Sequence, residues 1–401
     1  MRKRLQTYEH VLSCASKMIR PYMPDQHRDF FASQPFLVVA ARDEEERLWA
    51  TLLASPRADF VTSPDPKSLL IDTKPMPGGA LEGAFTPGND VGIMGIEFGT
   101  RHRNRVNGRI VTSSKKSQGL LSLRFRVDQS FGYFPQYIKT RQWWIPADTS
   151  PEIDLSVYLD YRSAYLSESQ IHFIRQSETI FLATGYRGQG NDPRYGNDAS
   201  NRGGSPGFVH VRDRKTIIIP DFSGNNHFNT IGNLVLDIRI GITFPNYQTG
   251  SMIQITGTAR TNFDYNVAIA FYAGAEPLIE ISIDAVVWLP EGSIPVRWTT
   301  DVEELKERNL VVSAKIKESE DVVSFPLRSQ DNDLRDLWRF QSGQHLPIAL
   351  QVGPFDRHFL ERTYSISAGP DWDEYRISVK RQGEASNYLH DNVHIGDTLL
   401  V

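Results

Sequence analysis

The sequence predicts a mainly β chain in which two copies of one β unit are followed by a third, different unit. Three observations carry this. Apolar runs are short and bounded by turn residues, as in Phe36–Ala41, Ser68–Ile71, Gly119–Phe125, Lys215–Ile219, Ile253–Gly257 and Leu278–Asp284. That is the length and punctuation of strands. The 29 glycines and 23 prolines supply the tight turns that many short strands need. Landmarks also recur at nearly constant spacing. Asp65-Pro-Lys-Ser-Leu-Leu-Ile71 matches Asp213-Arg-Lys-Thr-Ile-Ile-Ile219 at an offset of 148. Val91-Gly-Ile93 matches Ile240-Gly-Ile242 at 149, Gly108 matches Gly257 at the same offset, and Ser55–Val61 resembles Ser205–Val209 across a two-residue gap. Closely spaced strands of this kind predict barrels or sandwiches, not a doubly wound sheet. The offset predicts two copies, roughly residues 30–150 and 165–295, able to pack like the halves of a homodimer. Each copy reads as strand, turn, strand, short helix, strand, hairpin, strand.

The elements then follow in order. Residues 1–29 read as a helical segment. Within Tyr8–Pro24, Val11, Leu12, Ala15, Met18 and Ile19 fall at helical spacing, Pro21 and Pro24 stop the helix, and Cys14 lies on or near the apolar stripe. Such a helix is expected to cover a barrel end. Residues 30–150 form the first copy, 151–300 the second and 301–401 the third unit. Asp301–Arg308 reads as a polar helical linker, and strands resume at Leu310–Ile316 and Val322–Leu327. The chain ends at Asp397–Val401 in what reads as a strand, so a longer protein is expected to continue beyond it.

Charge excludes some functions. Over 401 residues, 44 Lys and Arg stand against 48 Asp and Glu, a net charge of −4. A general nucleic-acid or membrane-surface binder would be basic. The one cysteine excludes an internal disulfide and an all-cysteine metal or iron–sulfur site. The ten histidines show no metal-ligand spacing, so no metal is expected. With no apolar leader visible, the expected location is the cytoplasm.

The third unit has the most specific motif. Arg362-Thr-Tyr-Ser365 follows Gly343-Gln-His-Leu-Pro347 and precedes Tyr375-Arg-Ile-Ser-Val-Lys-Arg381 and the turn at Gly383-Glu-Ala-Ser386. On a strand, Arg362 and Tyr364 point the same way. An Arg grips phosphate bidentately, and a Tyr offers a flat face to a ring. This resembles the FAD-binding β-barrel of the ferredoxin–NADP reductase family, closely the reductase part of flavohaemoglobins, over residues 309–401. The resemblance implies a Greek-key barrel that binds FAD through Arg362, Tyr364, Ser365, Val379, Lys380, Gly383 and Ser386. Tyr364 and Ser365 would lie at the reactive ring. It also implies NAD(P)H as electron donor in a longer form, supplied through NAD(P) or ferredoxin domains expected of a longer protein.

The second copy carries Asp198-Ala-Ser-Asn-Arg-Gly-Gly204, Ile219-Pro-Asp-Phe-Ser-Gly-Asn225 and His227-Phe-Asn-Thr-Ile-Gly-Asn233. The first carries Thr100–Gly108 and Val127–Ile138. These resemble the split β-barrel of the pyridoxamine 5′-phosphate oxidase-like flavoproteins, here in tandem as a pseudo-dimer. The resemblance implies FMN across a barrel interface, its phosphate held by Ser200, Arg202, Ser223, Asn225, Asn229 and Thr230. Turn and helix-cap duty is the plainer reading of the asparagines. A basic pair expected of the oxidase itself is Asn229 and Thr230 here, which argues against vitamin B6 oxidation.

Two features mislead. Gly203-Gly-Ser-Pro-Gly207 matches a nucleophile elbow, but Pro206 has no N–H for an oxyanion hole. Arg101, His102, Arg103 and Arg105 read as a solvated hairpin, with a cofactor phosphate second. Adjacent Trp143 and Trp144 should face opposite ways, one into the core and one at an interface or pocket wall. The whole predicts a flavin-dependent oxidoreductase acting on a small-molecule substrate or electron acceptor, as a monomeric pseudo-dimer or homodimer. The alternatives are a flavin- or haem-binding protein without turnover and a scaffold pseudoenzyme.

Overall fold

The computed structural model describes residues 19–55, 57, 59–133, 138–144, 146, 162–190, 192, 194–222, 229–272, 275–298, 309–329, 345–351, 359–369 and 374–400. Cys14, most of the expected first helix and the linker 301–308 lie outside them. The structure is mainly β, as the sequence predicts, and divides into two compact units, Met1–Thr300 and Asp301–Val401.

In the N-terminal unit the chain enters through α1 (Asp25–Ala32), which begins directly after Pro24. Pro24 directly precedes this helix, a place its fixed φ and missing N–H suit. The first sheet contains β1 (Phe36–Arg42), β2 (Leu48–Ala54), β3 (Val61–Asp65), β4 (Ser68–Thr73), β5 (Asp90–Glu97), β6 (His102–Lys115) and β7 (Leu121–Tyr133). Their order is β2-β1-β5-β6-β7-β4-β3. The short β8 (Trp143–Trp144) and β9 (Arg162–Ser163) follow, then α2 (Glu168–Gln176), capped by Ser167 and Gln170 in a reciprocal pair of hydrogen bonds.

The second sheet contains β10 (Thr179–Tyr186), β11 (Gly196–Gly203), β12 (His210–Asp213), β13 (Thr216–Phe222), β14 (Arg239–Pro245), β15 (Met252–Asn262) and β16 (Ala275–Leu289). Its order, β11-β10-β14-β15-β16-β13-β12, repeats the first strand for strand. Two helices interrupt it: α3 (Asn229–Leu236) before β14 and α4 (Tyr265–Phe271) before β16. The first copy has turns where α3 stands, so the short helix expected in both copies occurs in one. Last, β17 (Arg297–Trp298) pairs with β8.

The ladders fix which residues correspond. Gly92 pairs with Asn107 and Gly241 with Thr256, so β5 and β14 are 149 positions apart, as are β6 and β15. Ala40 of β1 faces both Gly92 and Ala50, and Ala183 of β10 faces both Gly241 and Ala199. Ala50 and Ala199 therefore correspond, and β2 and β11 share the same offset. Strand β2 lies across β10, β14 and β15, and β11 lies across their counterparts β1, β5 and β6. That reciprocity is an isologous interface within one chain.

The recurring glycines have steric causes. A Cβ on Gly92 would stand 2.6 Å from the Asn197 carbonyl oxygen, and one on Gly241 would stand 2.5 Å from Trp49 Cα. A Cβ on Gly257 would lie 2.1 Å from the Ser282 oxygen at a bulge, and Gly108 is equally hemmed in by Arg126 at the corresponding bulge. Strands at this interface are buried on both faces. In β1 and β2 this gives continuous apolar runs in place of alternation. A single hydrophobic core runs from Leu37, Val39 and Leu52 into Phe181, Ala183 and Met252 of the second copy.

At the start of β10, Glu178 accepts hydrogen bonds from Lys139 and, at 2.7 Å, from Arg141. Burial pushes its carboxyl up, but the two cations outweigh that and hold it below the ordinary range. With the folded value depressed, its stabilisation is complete above the unfolded value and is lost as pH falls. Glu178→Gln is therefore expected to flatten the loss of thermal stability between about pH 5 and pH 3. Melting temperatures across that range check it, and an unchanged acid limb would contradict it.

The C-terminal unit has β18 (Asn309–Val312), β19 (Ile316–Lys317), β20 (Val322–Ser329), β21 (His345–Gln351), β22 (Phe359–Ser365), β23 (Tyr375–Lys380) and β24 (Thr398–Leu400). The order is β19-β20-β18-β24-β21-β22, with β23 on β20. One bridge, Ile366 to Ile377, links the end of β22 to β23. Helix α5 (Glu384–Asn392) packs against β22 and β23. The core is Leu310, Phe325, Leu346, Ile348, Ile377, Val379 and Leu389 with their neighbours.

Candidate functional sites

Strand β11 (Gly-Asn-Asp-Ala-Ser-Asn-Arg-Gly) is almost wholly polar, yet nearly all of it is buried. Its counterpart β2 (Leu-Trp-Ala-Thr-Leu-Leu-Ala) is apolar. Buried polar groups are costly unless each finds a partner, and those of β11 find two sets. Toward the first copy, Asp198 accepts from Arg105 at 2.9 Å, with both side chains at or below 6% exposure, and the Asn107 side chain packs beside the pair. Arg103 bonds Asn201, and Asn197 donates to the Asp90 carbonyl at 2.8 Å. The basic run does lie at the β5–β6 hairpin, with His102 exposed, but Arg103 and Arg105 are not left to solvent. Its arginines on β6 hold the polar strand of the other copy. No hydrophobic pattern could have shown this, because the partners are about ninety residues apart in sequence.

The second set lies within the second copy. Ser200 and Arg202 share a face of β11. Ser200 Oγ meets Thr230 Oγ1 at 3.0 Å, on the first turn of α3. Arg202 donates to Asp221 at 2.6 Å and to the Asn201 carbonyl at 2.9 Å. Asn233, one turn along α3, donates to Thr184 at 3.2 Å. Of the expected phosphate residues, the structure thus brings Ser200, Arg202 and Thr230 together. Asn229 opens the helix beside them, and Ser223 and Asn225 lie outside the described residues. Asp221, Thr184 and Asn233 belong to the same cluster and were not singled out from sequence. Hydroxyls at a helix N-terminus suit a phosphate. Arg202, however, is already matched by Asp221, so the cluster offers hydrogen-bond donors rather than an uncompensated positive charge.

The first copy does not repeat this cluster. Thr51 stands for Ser200 and Leu53 for Arg202, by the shared offset of β2 and β11. Asp221 corresponds to Thr73, since β4 and β13 are related by 148 positions. The arginine–aspartate pair occurs once.

In the C-terminal unit, Arg362 and Tyr364 lie opposite Ile348 and Leu346 on β21, hence on one face of β22. Arg362 and Ser365 are exposed, while Tyr364 is half-buried against the core. Burial lifts the Tyr364 phenol above its ordinary value, partly offset by the Arg362 charge. Gly383 and Ser386, expected in a turn, open helix α5 instead. Ser386 Oγ accepts from the Gln382 and Gly383 amides at 2.8 Å each, a serine doing the reciprocal job of a capping box. The first-turn amides of α5 have no carbonyl partners within the helix. A Cβ on Gly383 would meet nothing within 4 Å, so the space beside this residue is open. Val379 turns its side chain into the core and its carbonyl toward His390 Nε2, 2.9 Å away. Lys380 is exposed and pairs with Asp321 at 3.4 Å. Lys315 donates to the His390 and Val393 carbonyls at 2.7 Å each, closing the other end of α5.

These features define a mainly β protein with a helix packed against an Arg-Thr-Tyr-Ser strand in one unit and a buried polar strand in the other. Comparison with known proteins then narrows this. No family model matches the chain. The flavohemoprotein of Burkholderia sp. strain TH2 is 47% identical over 94 residues, 23% of this chain and 23% of that protein. The flavohemoprotein of Bacillus subtilis strain 168 is 39% identical over 89 residues, 22% of each. The chain spans less than a quarter of the length of these curated relatives. Among solved structures, the flavohem-like FAD/NAD-binding domain of nitric oxide dioxygenase from Vibrio cholerae O1 biovar El Tor is 37% identical. It covers 23% of this chain and 41% of that one, with a TM-score of 0.22. A putative pyridoxamine 5′-phosphate oxidase from Lactobacillus delbrueckii is 13% identical, over 31% of this chain and 94% of that one, with a TM-score of 0.25.

Proposed function

We propose that the chain is a flavin-dependent oxidoreductase whose C-terminal unit binds FAD and passes electrons from NAD(P)H to a substrate or acceptor. The observation that carries the reading is the shared face of Arg362 and Tyr364 on β22, a strand against which α5 packs. The 47% identity to a flavohemoprotein over 94 residues, nearly the length of this unit, supports it. A bound flavin would supply the two-electron chemistry. Arg362 and the first-turn amides of Glu384–Ser386, with Gly383 leaving room for approach, would hold its pyrophosphate. Lys380 would add charge at the rim, and Val379 would offer only its backbone. Tyr364, a neutral phenol that burial makes harder still to ionise, would pack against the ring, with the Ser365 hydroxyl at the ring edge.

In the N-terminal unit, the cluster of Ser200, Arg202 and Thr230 is where FMN or the acceptor would sit, once per chain. NAD(P) and ferredoxin domains of a longer protein would be its electron-transfer partners. A second reading has its own observation. The Arg202–Asp221 pair completes itself internally, which favours an N-terminal unit that binds no flavin and serves as scaffold.

The test is to purify the chain, denature it and identify released cofactor by chromatography. FAD is expected, and a chain that binds neither FAD nor FMN after incubation with both would overturn the reading. Arg362→Ala is expected to weaken FAD binding about tenfold or more, the effect of losing a charged hydrogen bond, with melting temperature unchanged. Unaltered FAD content would remove Arg362 from the site. FAD without FMN would favour the scaffold reading of the N-terminal unit.

A further inference from the structure

We infer that helix α4 of the N-terminal unit docks on the same helix of a second molecule of this chain, giving a two-fold homodimer. The duplication marks this face as an addition. In the first copy, β6 and β7 are joined by residues 116–120 alone, with a single turn of 3-10 helix at Ser117–Gly119. In the second copy, β15 and β16 are joined by residues 263–274, which carry α4. The same two strands close with a short polar turn in one copy, so the longer connection is not needed to build the sheet.

What was inserted is apolar and left uncovered. Ala268 is the residue that α4 buries, against Ile218, Ala275 and Leu278. Phe263, Tyr265, Val267, Ile269 and Phe271 are all 37–58% exposed. Residues four apart share a flank of a helix. Tyr265 and Ile269 therefore line one flank and Val267 and Phe271 the other. Asn266 and Ala270 form the ridge between them, opposite Ala268. An alanine on that ridge lets another helix approach closely. The helix is also held firmly in place. Asp264 caps it by accepting from the Asn266 and Val267 amides, and His210 meets the Phe271 ring edge-on at 5.2 Å. The other exposed apolar groups of this unit are smaller. They are Val235, Leu236 and Ile238 at the end of α3, and Trp143 and Trp144, one of which the sequence places in the core although both are exposed.

Charge and area select the partner. No charged side chain occurs from Tyr265 to Ala275. Arg212, on the face of β12 that His210 shares, is matched by Glu280 at 2.7 and 3.0 Å. A two-fold contact sets side chains near the axis against their own images. A charged face would repel itself there, and this one carries no charge to do so. A bilayer surface instead draws on Lys and Arg beside the apolar face, and this run has neither. The five large side chains leave on the order of 400 Å2 uncovered. At the roughly 60% apolar share of an interface, that corresponds to about 1,300 Å2 buried by two molecules together, within the range of specific interfaces. The contact is separate from the interface between the two copies and independent of the function proposed above.

Interfaces of this size bind with micromolar or tighter constants, so the full chain at about 100 µM should sediment as a dimer. Val267→Glu and Ile269→Glu should each weaken the dimer at least about tenfold, since each would bury an unpaired charge. Both positions are exposed in the single chain, so circular dichroism should be unchanged. Val111→Glu is the control, a valine 45% exposed on the first copy against 46% for Val267, and it should leave the dimer intact. A chain that stays monomeric at this concentration would overturn the proposal. So would a dimer that both glutamate variants leave intact, or one that Val111→Glu disrupts equally. A monomer that co-sediments with phosphatidylcholine vesicles would overturn it too, and would assign the face to lipid.

Discussion

Asp198→Ala is expected to destabilise the N-terminal unit by about 3–5 kcal/mol, the cost of breaking a buried ion pair by removing one partner. Arg105 and Asp198 are both nearly inaccessible and 2.9 Å apart. Without the carboxylate, the Arg105 charge stays buried beside Asn107 with its neutralising group gone. Asp198→Asn should cost less, because an amide oxygen still accepts from Arg105. Urea unfolding followed by the fluorescence of the buried Trp49 and Trp298 would measure both. A loss below about 1 kcal/mol, the range of surface pairs, would show that the pair contributes little.

The second large effect is expected at Gly241. A Cβ there would stand 2.5 Å from Trp49 Cα and 2.6 Å from the Leu48 carbonyl oxygen. Both are backbone atoms of β2, so no side chain can rotate away, and the two sheets must separate. Overpacking costs about 1–3 kcal/mol where side chains can yield, and Gly241→Ala is expected to reach or exceed the upper end. Gly232, on the helix α3, is the control. A Cβ there meets nothing within 4 Å, and Gly→Ala within a helix is favourable by up to about 1 kcal/mol. Melting temperatures that fall equally for Gly241→Ala and Gly232→Ala would refute the steric account.

Those glycines also explain which parts of the architecture were legible. The repeat could be read partly because two of its landmarks, Gly92/Gly241 and Gly108/Gly257, are positions where one copy's backbone presses on the other or where a bulge bends a strand. Such positions tolerate only glycine and so remain visible in a sequence. The apolar strands β1, β4 and β13 were legible from composition alone. Strand β11 was not, because polarity is the usual mark of a loop and its partners on β6 come from the other copy. The same cause misplaced Arg103 and Arg105, whose acceptors Asn201 and Asp198 lie more than ninety residues on. In the C-terminal unit the Arg362–Ser365 strand was legible from its motif. The helix at Gly383 was not, because Gly-Glu-Ala-Ser reads as a turn until the Ser386 hydroxyl is seen to tie back the Gly383 amide.

Joining two copies in one chain has a consequence for what each half can change. In a symmetric pair of separate subunits every substitution is made twice, and a residue near the axis must tolerate its own image. Here Arg105 corresponds to Gln254 and Asp198 to Trp49. Two first halves together would set Arg105 against Trp49, and two second halves would set Asp198 against Gln254. Either pairing strands a buried charge. The halves have become complementary, as lock and key are, and neither can substitute for the other. Expressed apart, each should fail to assemble with itself and should recover its fold only in the presence of the other.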